Sequence, residues 1–263
     1  MAFIKYIEIG KISIYNSLTY LLDFFSGSLF IGLIIFVFIQ LWSVVYGSTG
    51  GLIEGYTINM MVWYLVLTEA IVTSPGKILE EIGDEIQTGN IAQNLNKPYN
   101  YVGFKYASSM ARTWLRFLIT FGVGSLVAYI FLGGLEVKFL TLPIVLVSVF
   151  LALTLHFLIM VLLGILVFWL EDATATYFIY QKIVFVLGGM LMPLEIFPIW
   201  LGKISAALPF SYIAYHPAKL FVNFQWSNVS EVLLKQLMWI IIMIAIVTIV
   251  YQICIRKISI NGG

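Results

Sequence analysis

Leu29-Phe30-Ile31-Gly32-Leu33-Ile34-Ile35-Phe36-Val37-Phe38-Ile39 is apolar whichever way the chain is wound. A strand of a membrane barrel would alternate polar and apolar residues; this stretch does not alternate. It lies inside a longer apolar run, 24–46, and five more runs occur at 57–74, 114–133, 140–170, 177–192 and 233–255. A hydrocarbon core of about 30 Å needs about 20 helical residues at 1.5 Å each. Backbone polar groups must be satisfied internally in lipid, so runs this long are expected to be helices. The sequence therefore predicts an all-α membrane protein with six transmembrane helices.

Composition points the same way. The 263 residues are 61% hydrophobic and 10% charged, with a mean hydropathy of +1.01, far from an ordinary soluble domain. A net charge of +1 gives no electrostatic case for a nucleic-acid partner. The single cysteine, Cys254, falls in the last apolar run and offers neither a disulfide framework nor a thiolate metal site. The start, Met1-Ala2-Phe3-Ile4-Lys5-Tyr6-Ile7-Glu8, lacks the pattern of a cleaved leader. The first run is expected to act as the insertion signal itself.

Placing the N-terminus in the cytoplasm leaves only Lys138, Lys203, Lys219 and Lys235 outside, and the other ten of the 14 Lys and Arg inside. That satisfies the positive-inside rule. Both termini are then expected in the cytoplasm of a multi-pass plasma-membrane protein, together with the long polar loop 75–112. Ahead of the first span, 1–23 carries Ile4, Ile7, Ile14, Leu18 and Leu21 on one helical face and Lys5, Ser13, Asn16 and Asp23 on the other. Lys11 interrupts that apolar face, and Ile7-Glu8-Ile9 also fits a strand. An interfacial helix on the inner leaflet is the favoured reading.

Within the polar loop, Ile78, Ile82 and Ile86 recur at helical spacing, surrounded by Glu80, Glu81, Asp84 and Glu85, with Gly89 as a stop signal. A second short piece, 90–97, ends at Pro98. The fifth run is interrupted by Pro193-Leu194-Glu195-Ile196-Phe197-Pro198, and Pro209 and Pro217 divide the apolar stretch 199–222 into pieces too short to span. Half-helices of this kind are tolerated at membrane depth only where protein or a cavity surrounds them. Residues 193–222 are therefore read as a re-entrant hairpin in the outer leaflet. No repeat and no soluble domain is evident, so the chain reads as one membrane domain.

The catalytic signatures sought do not occur. There is no Gly-x-x-x-x-Gly-Lys-[Ser/Thr] loop, no His-Glu-x-x-His and no Gly-x-Ser-x-Gly. His156 and His216 are far apart, and Glu80-Glu81 is followed at position 85 by Glu rather than the Arg of a Glu-Glu-x-x-x-Arg protease. An enzyme is not expected. Glu69 and Arg116 sit at similar depths in the second and third spans, read either as a buried ion pair joining helices or as polar points on a substrate path. His156, mid-span, reads as a helix–helix hydrogen bond or a proton relay. Gly188-Gly189 suits close helix contact, a reading compatible with a hinge, and Trp42, Trp63, Trp169, Trp200 and Trp239 suit lipid-facing or interfacial belts.

Three stretches carry a resemblance. Asp84-Glu85-Ile86-Gln87-Thr88-Gly89-Asn90-Ile91-Ala92-Gln93-Asn94-Leu95-Asn96-Lys97-Pro98 resembles an "I-x-x-G-x-[acidic or polar]…L-x-[Arg/Lys]-P" pattern. Leu191-Met192-Pro193-Leu194-Glu195-Ile196-Phe197-Pro198-Ile199-Trp200-Leu201, continuing to Pro209-Phe210, and the basic stretch from Arg256-Lys257 to Gly263 are the others. Together with the order of parts, they resemble the permease subunit of a type-2 ABC exporter, the short ABC-2 kind often encoded as paired permeases beside one ATPase.

The resemblance implies a separate cytoplasmic ATPase carrying ATP and Mg, no cofactor in this chain, and a second permease, identical or paralogous. It implies that 77–97 seats in a cleft of the ATPase as a coupling helix. Ile82 and Ile86 would be its apolar anchors, Glu81, Asp84 and Glu85 would meet basic groups, and Gly89 would close the segment. It also implies an exit gate at Pro193, Glu195, Phe197 and Pro198. Apolar linings and a lateral route suggest an amphipathic or hydrophobic substrate. A stand-alone secondary transporter or channel is the competing class. It would want inverted repeats or several mid-membrane charges.

Overall fold

The computed structural model describes the chain apart from residues 1, 20, 50, 92–93, 95–96, 98, 135–138 and 262–263. Much of the segment 90–98, the Leu135-Glu136 turn and the final glycines thus lie outside the described residues. The described chain is all-helical, 85% helix with no strand. Among the described residues ten α-helices succeed one another: α1 Ala2–Leu18, α2 Leu21–Thr49, α3 Ile58–Thr73, α4 Ile78–Gln87, α5 Tyr101–Leu132, α6 Leu142–Leu170, α7 Ala173–Leu187, α8 Ile199–Ala207, α9 Tyr215–Val222 and α10 Trp226–Asn261. The N-terminal segment is a helix, not a strand, and it packs along α5.

Among the described residues five segments are long and apolar enough to cross a membrane: Gly27–Ser48, Ile58–Gln87, Tyr101–Leu132, Leu142–Leu170 and Trp226–Arg256. The expected fifth run, 177–192, differs. Its helix, α7, starts at Ala173, where Asp172 caps it by accepting from Ala175 N at 2.8 Å. It stops at Leu187 and measures about 22 Å. The early stop has a tertiary cause. Gly189 turns with φ +68, and the carbonyls of Gly189 and Met190 accept the hydroxyls of Tyr64 and Thr68 from α3. Those bonds hold the turned backbone against α3, while Gly188 N and Gly189 N close the last turn of α7 on the carbonyls of Val184 and Val186.

α6 is the axis of the molecule. It is hydrophobic all round, and 72% of its most apolar window is buried, against 22–28% for α2, α5 and α10. α10 packs along one side of it and α4 crosses its end. Gln236 pins α10 in place, donating to the carbonyls of Ser148 at 3.1 Å and Tyr212 at 3.0 Å while its amide oxygen accepts from Ser148 Oγ. A second group of helices, α1, α2 and α3, surrounds α5. Trp42 and Trp63 do not belong to lipid-facing belts. They are buried between helices, beside Tyr46 and Phe221 respectively, because α2 and α3 turn these faces inward.

Candidate coupling helix and hairpin site

α4 lies at the end of the bundle where α3 stops and α5 starts. Gly76, with φ +67, makes the turn into it, and the space where a side chain would stand is filled by the Arg116 guanidinium. The apolar face of α4 is turned inward. Ile82 is 0% and Ile86 8% exposed, and both belong to the main core. The contact is close because two glycines face it. A Cβ on Gly164 of α6 would lie 2.9 Å from Ile82 Cβ, and one on Gly83 of α4 would lie 2.8 Å from Ala173 Cβ. Ile82 and Ile86 are therefore anchors within this chain, not free apolar anchors for a partner.

Two of the three expected acids are likewise engaged from within. Arg112 donates through both Nη atoms to Glu81 Oε1 and Oε2 at 3.2 Å each, a bidentate pair. Glu85 accepts from Lys105 Nζ at 2.7 Å and from the Tyr101 hydroxyl at 2.5 Å. Asp84 differs: it is exposed, as are Gln87, Thr88 and Gly89. Gly89 serves the helix end, with φ +74 and its N–H given to Ile86 O at 3.1 Å. So α4 is riveted to α5 by two ion pairs and to α6 by glycine contacts; exposed Gln87 donates to the Glu171 carbonyl, and Asp84 and Thr88 are presented outward. No sequence pattern marks Tyr101, Lys105 and Arg112 as their partners. They sit on α5, which begins at Tyr101 under an Asn100 cap rather than near 114.

Glu69 and Arg116 do not form the intramembrane pair. Among the described residues no ion pair joins them. Glu69 is buried, 5% exposed, while Arg116 lies against Gly76 within electrostatic reach of Arg112, Glu81 and Tyr177. Gly76 leaves room for the guanidinium, and the neighbouring Glu81 carboxylate favours it at the α4 end.

The residues expected to form a gate gather at the other end of α3. Pro193 is buried and leads into the 3₁₀ turn Leu194–Ile196, Phe197 is half-buried, and Pro198 is exposed as the cap of α8. Glu195 is the hub. It accepts from Lys219 Nζ at 2.5 Å and from the Tyr215 hydroxyl at 2.7 Å, and Tyr56 OH approaches its second oxygen at 3.4 Å. Tyr56 is held there by a tight turn, Ile53–Tyr56, with Glu54 and Gly55 at positive φ and reciprocal backbone hydrogen bonds of 3.1 and 2.9 Å. Burial would raise the Glu195 carboxyl, but hydrogen bonds from Lys219 and Tyr215 outweigh it and hold the group below its ordinary range. The i, i+4 spacing of Tyr215 and Lys219 is the one sequence signal for this cluster, and hydropathy alone passes over it.

A helical bundle with several segments long and apolar enough to cross a membrane, an amphipathic helix at one end and proline-broken short helices at the other is the fold of a membrane protein. The chain belongs to the family described as ABC-2 family transporter protein, whose sequence model matches residues 31–262. It is thus a membrane transport permease, in a family of membrane transport components that are typically non-catalytic and associate with an ABC ATPase. Comparison with curated proteins returns no match.

Proposed function

We infer that this chain is the permease subunit of an ATP-driven exporter, working with a separate cytoplasmic ATPase that holds ATP and Mg, and paired with a second permease. It moves an amphipathic or hydrophobic substrate outward across the plasma membrane, with both termini in the cytoplasm. The observation that carries the reading is the construction of α4. Its apolar face is spent on the bundle, two of its acids are clamped to α5, and Asp84 and Thr88 are left facing outward.

A helix mounted this way transmits a push to α5 and α6 together instead of bending by itself. α3 extends the path, since its C-terminal end leads into α4 and its Tyr64 and Thr68 hold the backbone at 189–190 beside the hairpin. ATP-driven closure of two ATPases would then shift the balance between inward- and outward-facing states. The Glu195–Lys219 pair would keep the hairpin shut in the inward-facing state. α7 then serves as the sixth, shortened crossing, α1 lies along the inner leaflet and the hairpin enters the outer one.

The test is co-expression with candidate ATPases, purification, and a screen for amphiphiles that stimulate ATP hydrolysis. Stable co-purification with stimulated turnover is expected. Full translocation by this chain reconstituted without any nucleotide-hydrolysing partner would overturn the reading.

A further inference from the structure

We propose that the groove between α6 and α7 binds an amphiphile with a cationic head and an oxygen acceptor part-way along its apolar body. The assignment rests on the transport reading above and adds the class of molecule. The groove has a volume of about 530 Å³, within the size of small-molecule sites. Its α7 wall is one helical stripe, Asp172, Thr176, Tyr180 and Ile183, that rises about 16 Å. Ile159 and Leu163 of α6, with Phe210 and Met243, also line the groove. The mouth lies on exposed apolar surface, for Ile179 at the rim is 58% exposed.

Two polar features give the groove its chemistry. Asp172 is the one charged side chain among the lining residues. One carboxylate oxygen caps α7 through Ala175 N, and the other has no hydrogen-bond partner among the described residues. No basic residue lines the groove to compete for it; Lys182 lies on another face of α7, over the rings of Phe178 and Phe185. The second feature is Tyr180, 3% exposed, whose buried hydroxyl has no hydrogen-bond partner in the described structure. A buried hydroxyl without a partner is costly. Its ring lies between His156 and Phe210, at centroid distances of 5.6 and 6.4 Å. A ligand oxygen would satisfy that hydroxyl. Along α7 the backbone rises about 12 Å from Asp172 to Tyr180, which sets the scale of the spacing between the cationic head and the acceptor.

The test is equilibrium binding of a radiolabelled alkylammonium to the purified chain in nanodiscs, with a keto oxygen about 12 Å from the nitrogen. Saturable binding is expected, with no competition from the matching alkyl sulfate. Asp172→Asn keeps the cap, because Asn caps as well as Asp, and should weaken binding about fivefold. Tyr180→Phe should weaken the keto compound about fivefold and leave the plain alkylammonium unchanged. Ile179→Trp, at an exposed rim position, should block both. Non-saturable uptake, equal competition by the sulfate, or wild-type binding in Asp172→Asn or Ile179→Trp would overturn the proposal. The assay needs no ATPase. Saturable binding without ATP-dependent movement would thus sink the exporter reading and leave the groove, and ATP-dependent movement without groove binding would do the reverse.

Discussion

Gly164 has no side chain where Ile82 needs the room, and that absence seats α4. Gly164→Leu should push α4 off α6 at a cost of about 1–3 kcal/mol, seen as a lower thermal midpoint for the purified chain. Gly122→Leu, whose Cβ would meet nothing within 4 Å, should leave the midpoint unchanged. At the other end, Lys219→Met strands the Glu195 carboxylate and should cost about 1–3 kcal/mol. Adding Glu195→Gln should recover part of that loss, a coupling that two independent sites would not show. His216 gives the same region a pH dependence. Burial, with Lys219 and Lys235 adding to it, lowers its pKa from 6.5 to about 3. The unfolded chain therefore takes up a proton between those values that the folded chain refuses, and stability falls as pH drops from 6.5 towards 3. Glu195 works in the same direction further down. Its stabilisation is present above its ordinary 4.5 and is lost as pH falls through its lower folded value. Hydrogen exchange in α9 should accelerate on acidification from pH 6.5, and His216→Phe should remove the part above the carboxylate range.

At the scale of elements, α4 is legible from the spacing of Ile78, Ile82 and Ile86, but the direction it faces is not. An apolar stripe looks the same whether it meets a partner or its own bundle. Gly164, distant in sequence, decides that it meets the bundle. The end of α7 is hidden for a similar reason, since the backbone turns at Gly189 and is held there by Tyr64 and Thr68 of a distant helix. The expected Glu69–Arg116 pair fails because depth along two helices says nothing of which way each side chain points, and Gly76 offers Arg116 another place. Hydropathy does locate the four longest apolar stretches, in α2, α5, α6 and α10. Since Asp84 is exposed and makes no ion pair in the described structure, Asp84→Arg should change stability by no more than about 0.5 kcal/mol. It should nonetheless abolish ATPase co-purification.

For the whole molecule, α6 is the fixed axis and α3 the strut between α4 and the hairpin. The broad apolar faces of α2, α5 and α10 are left to lipid and to the proposed second permease. Transport on these terms requires α4 to be the part that an external motor grips. A photo-crosslinking residue at position 84, in membranes co-expressing the partner ATPase, tests this most directly. An adduct of chain plus ATPase is predicted from position 84 and none from the buried position 82. No adduct from 84, in a chain that still transports, would contradict it.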